Sequence, residues 1–162
     1  MFFIESLSEE TRFLINSQVA ASWGAPLIVS RGVLHDTRTQ PGFIAVADGA
    51  FAGYALYNLE GIDCELTVLE SLRNGLGIGG ELVKEVLRVA KASGCRRVWL
   101  CTTNDNTHAI RFYQRFGFEL RAVHINSMDE ARLLKPQIPL TGDDDIPIKH
   151  EFEFELQLNT HE

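Results

Sequence analysis

A glycine-rich segment, residues 74–80, has the composition of a phosphate-binding turn. It reads Asn-Gly-Leu-Gly-Ile-Gly-Gly and lies between a predicted strand and an amphipathic helix. Glycines let the backbone approach an anion closely, and the first turn of a helix offers unpaired N–H groups at the positive end of its dipole. Arg73 adds a cation at the same end. Alternating glycines before a helix favour a phosphate ligand over a merely tight turn.

Two other classes of phosphate site have glycine-rich patterns of their own. Gly75, Gly77 and Gly80 satisfy the G-x-G-x-x-G pattern of dinucleotide-binding folds. Such folds repeat β-α-β units on a parallel sheet, whereas one such unit follows this turn and hairpin-linked strands precede it. A nucleotide P-loop needs Gly-Lys-Ser or Gly-Lys-Thr, and Gly79-Gly80-Glu81 lacks both. Dinucleotide and nucleotide ligands are therefore disfavoured.

A second segment, residues 104–118, carries a more specific spacing. The residues that match the pattern N-x-x-A-x-x-x-Y-x-x-x-G-F are Asn106, Ala109, Tyr113, Gly117 and Phe118. Together with the glycine turn, this segment strongly resembles the GNAT superfamily of acetyltransferases, which bind acyl-CoA pyrophosphate at a Q/R-x-x-G-x-G/A turn. The resemblance covers residues 62 to about 125 and says little about roughly the first forty residues.

The turn departs from the family pattern at one position. Gly77 and Gly79 match the two glycines, but the usual Gln or Arg falls on Asn74, with Arg73 one place earlier. Backbone donors supply most of such a site, so binding is expected to survive. The resemblance implies acetyl-CoA as co-substrate. The residues it assigns to acetyl-CoA are Thr67, Val68, Leu69, Arg73, Asn74, Gly75, Leu76, Gly77, Ile78, Gly79, Asn104, Asn106 and Tyr113.

By the same resemblance, a cleft would open where strand 62–69 splays from strand 98–101. Backbone groups of residues 67–69 would bind the pantetheine arm like an added strand. Asn106 would hydrogen-bond the arm, and the helix from about Thr107 would wall the cleft.

Acetyl transfer to an amine needs a neutral amine, a polarised carbonyl and a protonated leaving thiolate. An alkylamine of pKa about 10.4 is mostly charged at pH 7, so some group must accept its proton. Glu65 is the candidate base, against the alternative of a solvent-facing strand carboxylate. Tyr113 is the candidate acid, against a tyrosine that only packs on its helix face. The backbone N–H near Val68 or Leu69 would polarise the carbonyl.

Three functions stay open at this point. The leading one is an N-acetyltransferase acting by direct transfer on a primary amine of a small molecule, amino acid or peptide, with neither a covalent enzyme intermediate nor a metal. A catalytically inactive acyl-CoA-binding module is the alternative, although such a module would be expected to lose Glu65 or Tyr113. A nucleotide-binding oxidoreductase comes third. His35 and His124 are lesser base candidates, and His108 is interpreted as a solvated helix residue.

These residues must be positioned by helices and strands, which the sequence pattern also predicts. The pattern indicates one α/β domain over residues 1–162, with a mixed, mostly antiparallel central sheet, flanking helices and one β-α-β crossover. Ser6 and Glu9 stand at capping-box spacing before a first helix that ends at Gly24. Ser127 and Glu130 also stand at capping-box spacing and predict the start of a short last helix. The predicted strands span 42–47, 51–57, 62–69, 98–101, 118–125 and 151–158, and the predicted loop spans 135–150 with a solvated aspartate run at 143–145.

Composition limits the possible partners. The 162 residues are 45% hydrophobic and 23% charged, as expected for one folded core. A net charge of −7 disfavours nucleic acid and mildly favours cationic substrates. The sequence contains no apolar run of about 20 residues and no basic leader, so we expect neither a membrane span nor a signal peptide, and a cytoplasmic location. Cys64, Cys95 and Cys101 match no metal spacing and are expected to be structural thiols. A homodimer is a further expectation, and the identity of the acceptor is not encoded in these patterns.

Overall fold

The computed structural model describes residues 1–158, with four helices, nine strands and two short 3-10 turns. The helices are α1 (Glu9–Trp23), α2 (Ile78–Ala92), α3 (Thr107–Phe116) and α4 (Ser127–Leu134). The strands are β1 (Phe2–Ser6), β2 (Leu27–Ser30), β3 (Val33–Asp36), β4 (Gly42–Ala47), β5 (Ala50–Glu60), β6 (Asp63–Ser71), β7 (Arg97–Thr103), β8 (Glu119–His124) and β9 (Glu151–Gln157).

Seven strands form the central sheet in the order β1-β4-β5-β6-β7-β9-β8, and β2 and β3 form a separate hairpin. Every pair in the central sheet is antiparallel except β6 and β7. Parallel neighbours require a crossover, which α2 provides. The predicted mixed α/β sheet with one β-α-β unit is therefore confirmed.

The parallel pair β6–β7 is short. Its register contains only Asp63↔Arg97, Cys64↔Val98 and Glu65↔Trp99, after which the two strands part. On the other side of β6, a bulge in the pairing with β5 leaves Thr67 without a register partner. A bulge bends its strand, so β6 turns away from β7 beyond this point. The predicted splaying is confirmed.

The two faces of the sheet are covered by different elements. On one face, α2 presents a buried stripe at Leu82, Val83, Val86 and Ala90, and α3 adds Tyr113. Full burial of a leucine or valine side chain such as Leu82, Val83 or Val86 contributes about 1.5–3 kcal/mol. On the opposite face, α1 buries Ile15 and Val19 against β4, β5 and β6, and the β2–β3 hairpin lies beside it.

Both predicted capping boxes are wrong. Helix α1 begins at Glu9 and is capped by Ser8, whose Oγ accepts the Thr11 N–H at 3.2 Å while the Ser8 N–H donates to Thr11 Oγ1 at 3.0 Å. Ser6 instead ends β1, because that segment pairs with β4 at the sheet edge. Helix α4 follows Asn126 in the left-handed region, with no side-chain cap from Ser127.

The β2–β3 hairpin has no counterpart among the predicted strands. Arg31 and Gly32 both have positive φ, 49° and 75°, which is the geometry of a tight two-residue hairpin turn. The signal was an Arg-Gly pair between the short apolar runs 27–29 and 33–34. Through β2 the hairpin contacts α1, α4 and β6.

The last strand, β9, is placed inside the sheet between β7 and β8. Its alternating pattern is confirmed, but the acidic side is buried, because Glu151 and Glu153 are 3% and 5% exposed. The preceding segment, residues 135–150, is irregular as predicted, and Asp143–Asp145 form an exposed 3-10 turn. Within residues 1–158, no helix has the length and apolarity needed to cross a membrane.

Candidate active site

A cleft of about 570 Å³ opens where β6 and β7 part. One wall is residues 66–69 of β6, the other is residues 100–103 of β7, and α3 contributes Asn106, Ala109 and Tyr113. The side facing solvent is covered by segments 22–29 and 135–143. Because pairing stops at Glu65↔Trp99, the facing edges of both strands are left to hydrogen-bond an extended ligand. The expectation that residues 67–69 line this cleft agrees with their position.

The glycine turn lies at the N-terminus of α2. Gly75 and Gly77 have φ of 79° and 80°, and a Cβ built on either meets no atom within 4 Å, so open space lies over the turn. The first helical bond is from Glu81 N–H to the Gly77 carbonyl at 3.2 Å. The N–H groups of residues 77–80 therefore have no partner within the helix. This cradle suits an anion, and it fits the pyrophosphate of a coenzyme A ligand.

The two segments singled out in the sequence meet at this turn. A Cβ on Gly79 would lie 3.4 Å from the Phe112 ring, so the start of α2 is packed against α3. Arg73, expected to bind phosphate, is paired with Asp48 at 3.0 Å, and this contact lowers the pKa of Asp48. Both side chains are exposed, and exposed ion pairs stabilise a fold only weakly, so a phosphate could replace Asp48 as the partner of Arg73. Asn74 and Leu76 lie exposed in the same turn.

The two asparagines assigned to the cofactor differ in position. Asn106 lines the cleft and caps α3, since its Oδ1 accepts the Ala109 N–H at 3.2 Å. Asn104 is turned to the loop before β9: its Oδ1 accepts the N–H groups of Lys149 and His150, and its Nδ2 donates to Pro147, each at 2.9 Å. Its amide is occupied by these contacts. The structure therefore gives Asn104 a loop-fixing position instead of a place in the cleft.

Tyr113 lines the cleft from the α2–α3 face and is 7% exposed. Its ring packs edge-on against Phe112 and Phe118, with centroid distances of 5.3 and 5.5 Å. Burial raises the pKa of the Tyr113 phenol above its ordinary value. The phenol is therefore held neutral, as a proton donor must be. Tyr113 therefore packs on the apolar face of α3 and also lines the cleft, so packing alone does not account for its position.

Glu65 lies on the opposite face of the sheet from Tyr113. It is 4% exposed, which rules out a solvent-facing carboxylate, and one of its oxygens, Oε1, is buried without a hydrogen-bond partner. Its side chain borders a second cavity of about 390 Å³, next to the cleft instead of inside it. Because Glu65 is the last paired residue of β6, it lies where the cleft begins.

His35 of the unpredicted hairpin contacts Glu65, with 3.3 Å between Nε2 and Oε2. The contact with the Glu65 carboxylate and its charge raise the pKa of His35, while burial opposes the shift. This second cavity therefore brings together the candidate base and one of the two lesser candidates. The other two histidines named above lie elsewhere: His108 is exposed on α3, and His124 is on β8.

His124, Glu153 and Cys101 form a cluster whose ligand atoms lie within 4.8 Å of one another. Glu153 Oε1 is 3.1 Å from His124 Nε2, and its carboxylate also faces Arg31 at 3.4 Å and Arg97 at 3.5 Å. Those two guanidinium groups oppose a metal cation. Burial and the charges of nearby glutamates raise the pKa of Cys101, so its thiol stays protonated.

Two acidic residues of the cleft were not predicted. Asp105 follows β7 and is 7% exposed, and Glu151 begins β9 and is 3% exposed. Lys135 also reaches the cleft, where its Nζ donates to the Leu27 carbonyl at 2.7 Å and burial lowers its pKa. The position of Asp105 directly after a buried strand was a usable signal, whereas nothing in the alternation of 151–158 marks Glu151 as different from Glu153 or Glu155.

Comparisons with known proteins agree with this geometry. Residues 9–118 match the acetyltransferase (GNAT) family. The chain is 36% identical to the Bacillus subtilis protein YdhI over 156 residues, which is 95% of this chain and 97% of that protein. It is 36% identical over 88 residues to the streptothricin acetyltransferase of Streptomyces lavendulae, covering 51% of this chain and 45% of that enzyme.

The fold is also found in solved structures. A GNAT family acetyltransferase from Elizabethkingia anophelis with acetyl-CoA bound superposes with a TM-score of 0.72 at 15% identity, covering 97% of this chain and 98% of that one. Arabidopsis thaliana Naa50 in complex with the bisubstrate analogue CoA-Ac-MVNAL gives 0.71 at 16% identity, covering 97% and 99%. The match over residues 9–118 extends across the glycine turn, the parting strands and the Tyr113 helix, and this chain belongs to the acetyltransferase (GNAT) family.

Proposed function

We propose that this acetyltransferase moves an acetyl group from acetyl-CoA directly to a primary amine of a small molecule, amino acid or peptide. The observation that carries the proposal is the cleft between β6 and β7, which has a buried, neutral tyrosine on the wall formed by α3, together with the glycine cradle at the start of α2, which packs against that same helix. Relatives named for amine acceptors support it, including the streptothricin acetyltransferase and a spermine/spermidine N(1)-acetyltransferase of Bacillus subtilis that is 29% identical over 83 residues.

The residues fit acetyl-CoA, which supplies the activated acetyl group and the thiol leaving group. The free N–H groups of residues 77–80 would hold its pyrophosphate, with Arg73 beside them. The unpaired strand edge at 67–69 would align the pantetheine, and Asn106 would contact it. A backbone N–H at Val68 or Leu69 would face the carbonyl oxygen, where charge develops in the reaction.

Tyr113 serves the leaving side of the reaction. Its Oη is the proton donor on the wall formed by α3, and the raised pKa of the phenol keeps that proton in place at neutral pH. A thiol has a pKa of about 8.5, below that of the phenol, so full proton transfer is uphill. Tyr113 therefore acts chiefly by hydrogen-bond donation to the sulfur as negative charge develops there.

Glu65 serves the attacking side. Its carboxylate accepts the proton that the ammonium group must lose, from the face of the sheet opposite to Tyr113. His35, 3.3 Å away, can then take that proton from Oε2 toward the second cavity. Acid and base on opposite faces keep the two proton transfers apart, since the amine enters on one side of the carbonyl and the thiol leaves on the other.

Calorimetric titration with acetyl-CoA and with desulfo-CoA tests the proposal. Gly77→Glu places a carboxylate at the phosphate cradle and should abolish binding. Gly94→Glu is the matched control, because Gly94 has nearly the same φ, 79°, and equally open surroundings at the other end of α2. A helix of 15 residues separates the two sites by about 22 Å.

Binding that is lost in Gly77→Glu and retained in Gly94→Glu, followed by acetylation of members of a primary-amine library, is the expected result. Folded wild-type protein that binds neither coenzyme A form would overturn the proposal. Binding without acetylation of any amine would instead favour an inactive acyl-CoA-binding module.

A further inference from the structure

Two buried carboxylates line the cleft with unused hydrogen-bonding capacity. Asp105 Oδ2 accepts the Asp143 N–H at 3.3 Å, but its Oδ1 is buried without a partner. Glu151 Oε2 accepts the backbone N–H of Arg31 at 3.3 Å, and Glu151 Oε1 is likewise buried and unpartnered. Both side chains are more than nine-tenths buried. Buried polar atoms in native proteins nearly always have partners, so these oxygens call for a ligand.

Neither Asp105 nor Glu151 forms an ion pair with a cationic side chain among residues 1–158. The neighbouring buried glutamates differ in this respect, since Glu153 faces Arg31, Arg97 and His124, and Glu65 faces His35. Among residues 1–158, no lysine, arginine or histidine nitrogen forms an ion pair with Asp105 or Glu151. An uncompensated buried charge is costly, which favours a cation supplied from outside the protein.

Lys135 lines the cleft but does not neutralise Glu151. Its Nζ is bound to the carbonyl of Leu27 at the start of β2, whereas Glu151 contacts Arg31 just beyond the end of that strand. Four residues of extended chain separate these two points by about 13 Å. Lys135 is therefore too far from that contact to serve as the counter-charge of Glu151.

The wall beside these carboxylates is apolar. The cleft-lining side chains that form a hydrophobic cluster there are Met128, Ile148, Val29 and Ile138. The backbone also fixes Asp105 in place, because a Cβ on Gly142 would overlap its carboxylate. An apolar wall that ends in two fixed carboxylates matches an alkyl chain that ends in an ammonium group.

We propose that Asp105 and Glu151 form a binding subsite for a second cationic group of the acceptor, so that the preferred substrates are linear aliphatic diamines and polyamines. One amine would lie toward Glu65 and the thioester for acetylation, and the other would be held by the two carboxylates. The inference rests on the proposed function, since it assigns a substrate class to the same cleft. The net charge of −7 favours the approach of such polycations.

Binding, measured separately from turnover, provides the test. Protein saturated with coenzyme A is titrated with 1,5-diaminopentane and with 1-aminopentane, which differ by one ammonium group. The diamine should bind at least about tenfold more tightly to the wild type, as expected for hydrogen bonds to a buried charge. Glu151→Gln and Asp105→Asn should each bring the two affinities to within about threefold, while coenzyme A binding, which reports on folding, stays unchanged.

Asp144→Asn is the control variant. Asp144 is exposed in the 3-10 turn close to Gly142, so the substitution removes one negative charge without touching the cleft. It should retain the preference of the wild type for the diamine. Asparagine also tolerates the left-handed backbone found at this position, where φ is 54°.

Equal wild-type affinity for the diamine and the monoamine would overturn the inference. So would a preference for the diamine that survives in both Asp105→Asn and Glu151→Gln. Failure of the proposed function looks different, because coenzyme A would then fail to bind or no amine would be acetylated. A diamine preference in kcat/KM that is lost in the same two variants would extend the result to turnover.

Discussion

The substitution Tyr113→Phe separates chemistry from packing at the cleft wall. Phenylalanine keeps the aromatic ring that packs edge-on against Phe112 and Phe118. Within residues 1–158, the Tyr113 hydroxyl makes no hydrogen bond, so its removal leaves no partner unsatisfied. We therefore expect the free energy of unfolding to change by less than about 1 kcal/mol.

The expected effect on catalysis is much larger. Loss of one hydrogen-bond donor to a developing negative charge lowers the rate by about 10²- to 10³-fold, which corresponds to about 2.7–4 kcal/mol of activation free energy. Because Tyr113 acts on the leaving group and not on the ground state, kcat should fall by this factor. The dissociation constant for acetyl-CoA should stay within about twofold of the wild type, since the ring still lines the cleft.

Single-turnover release of coenzyme A, followed by chromatography, is the appropriate assay because product release could mask the chemical step in steady state. Tyr57→Phe is the matched control. Tyr57 packs against the same core and stacks on Phe43 with a centroid distance of 6.0 Å, but it lies outside the cleft lining. That variant should retain the wild-type rate.

A Tyr113→Phe enzyme with more than half of the wild-type single-turnover rate would refute the role of the phenol. A large loss of rate accompanied by an equal loss in Tyr57→Phe would point to core packing instead. Thermal unfolding of both variants distinguishes these results from simple destabilisation.

The remaining predictions concern the cradle and the second cavity. Gly77→Ala should lower the free energy of unfolding by about 1–2 kcal/mol, because φ is 80° there. Gly80→Ala, inside α2 with no atom within 4 Å of the added Cβ, should raise it by about 0.5–1 kcal/mol; denaturant titration of both variants checks the contrast, and equal shifts would contradict it. In NMR titrations the pKa of His35 should lie above its usual 6.5. In Glu65→Gln it should fall, because the carboxylate no longer opposes the effect of burial; an unchanged pKa would show that Glu65 does not cause the shift. Since the folded pKa of His35 is raised, its stabilising effect is complete below pH 6.5 and is lost as pH rises through the folded value, so the stability advantage of wild type over Glu65→Gln should shrink with rising pH.

Local physics made several elements of the fold predictable. The 3.6-residue period of α2, the strict alternation of β9 and the glycine turn between β6 and α2 are properties of adjacent residues. The spacing from Asn106 to Tyr113 placed both residues on the cleft side of α3 because helical geometry determines which residues share a face. Where two capping boxes competed, at Ser6 and Ser8, long-range pairing of β1 with β4 decided the outcome, and no local rule could have shown it.

The candidate site could be predicted only in part. Tyr113, Asn106 and residues 67–69 line the cleft as expected, whereas Asn104 was misplaced because its amide is used by backbone groups more than forty positions away. His35 was one of two lesser base candidates in the sequence, and only the β2–β3 hairpin brought it to Glu65. The periodicity and motif spacing of a sequence do not predict which distant residues a side chain contacts.

The sequence by itself determined the local parts of the candidate site. A phosphate cradle needs only glycines and a helix start, which are close together in the chain, and the Asn106–Tyr113 helix needs only its own period. Tertiary structure decided that β6 and β7 part after Glu65↔Trp99, and that Tyr113, the proposed acid, and Glu65, the proposed base, border different cavities. It also brought Asp105 and Glu151 to one cleft. The physical reason is that burial and charge compensation depend on which distant segments pack together, and sheet pairing sets that only when the whole chain has folded.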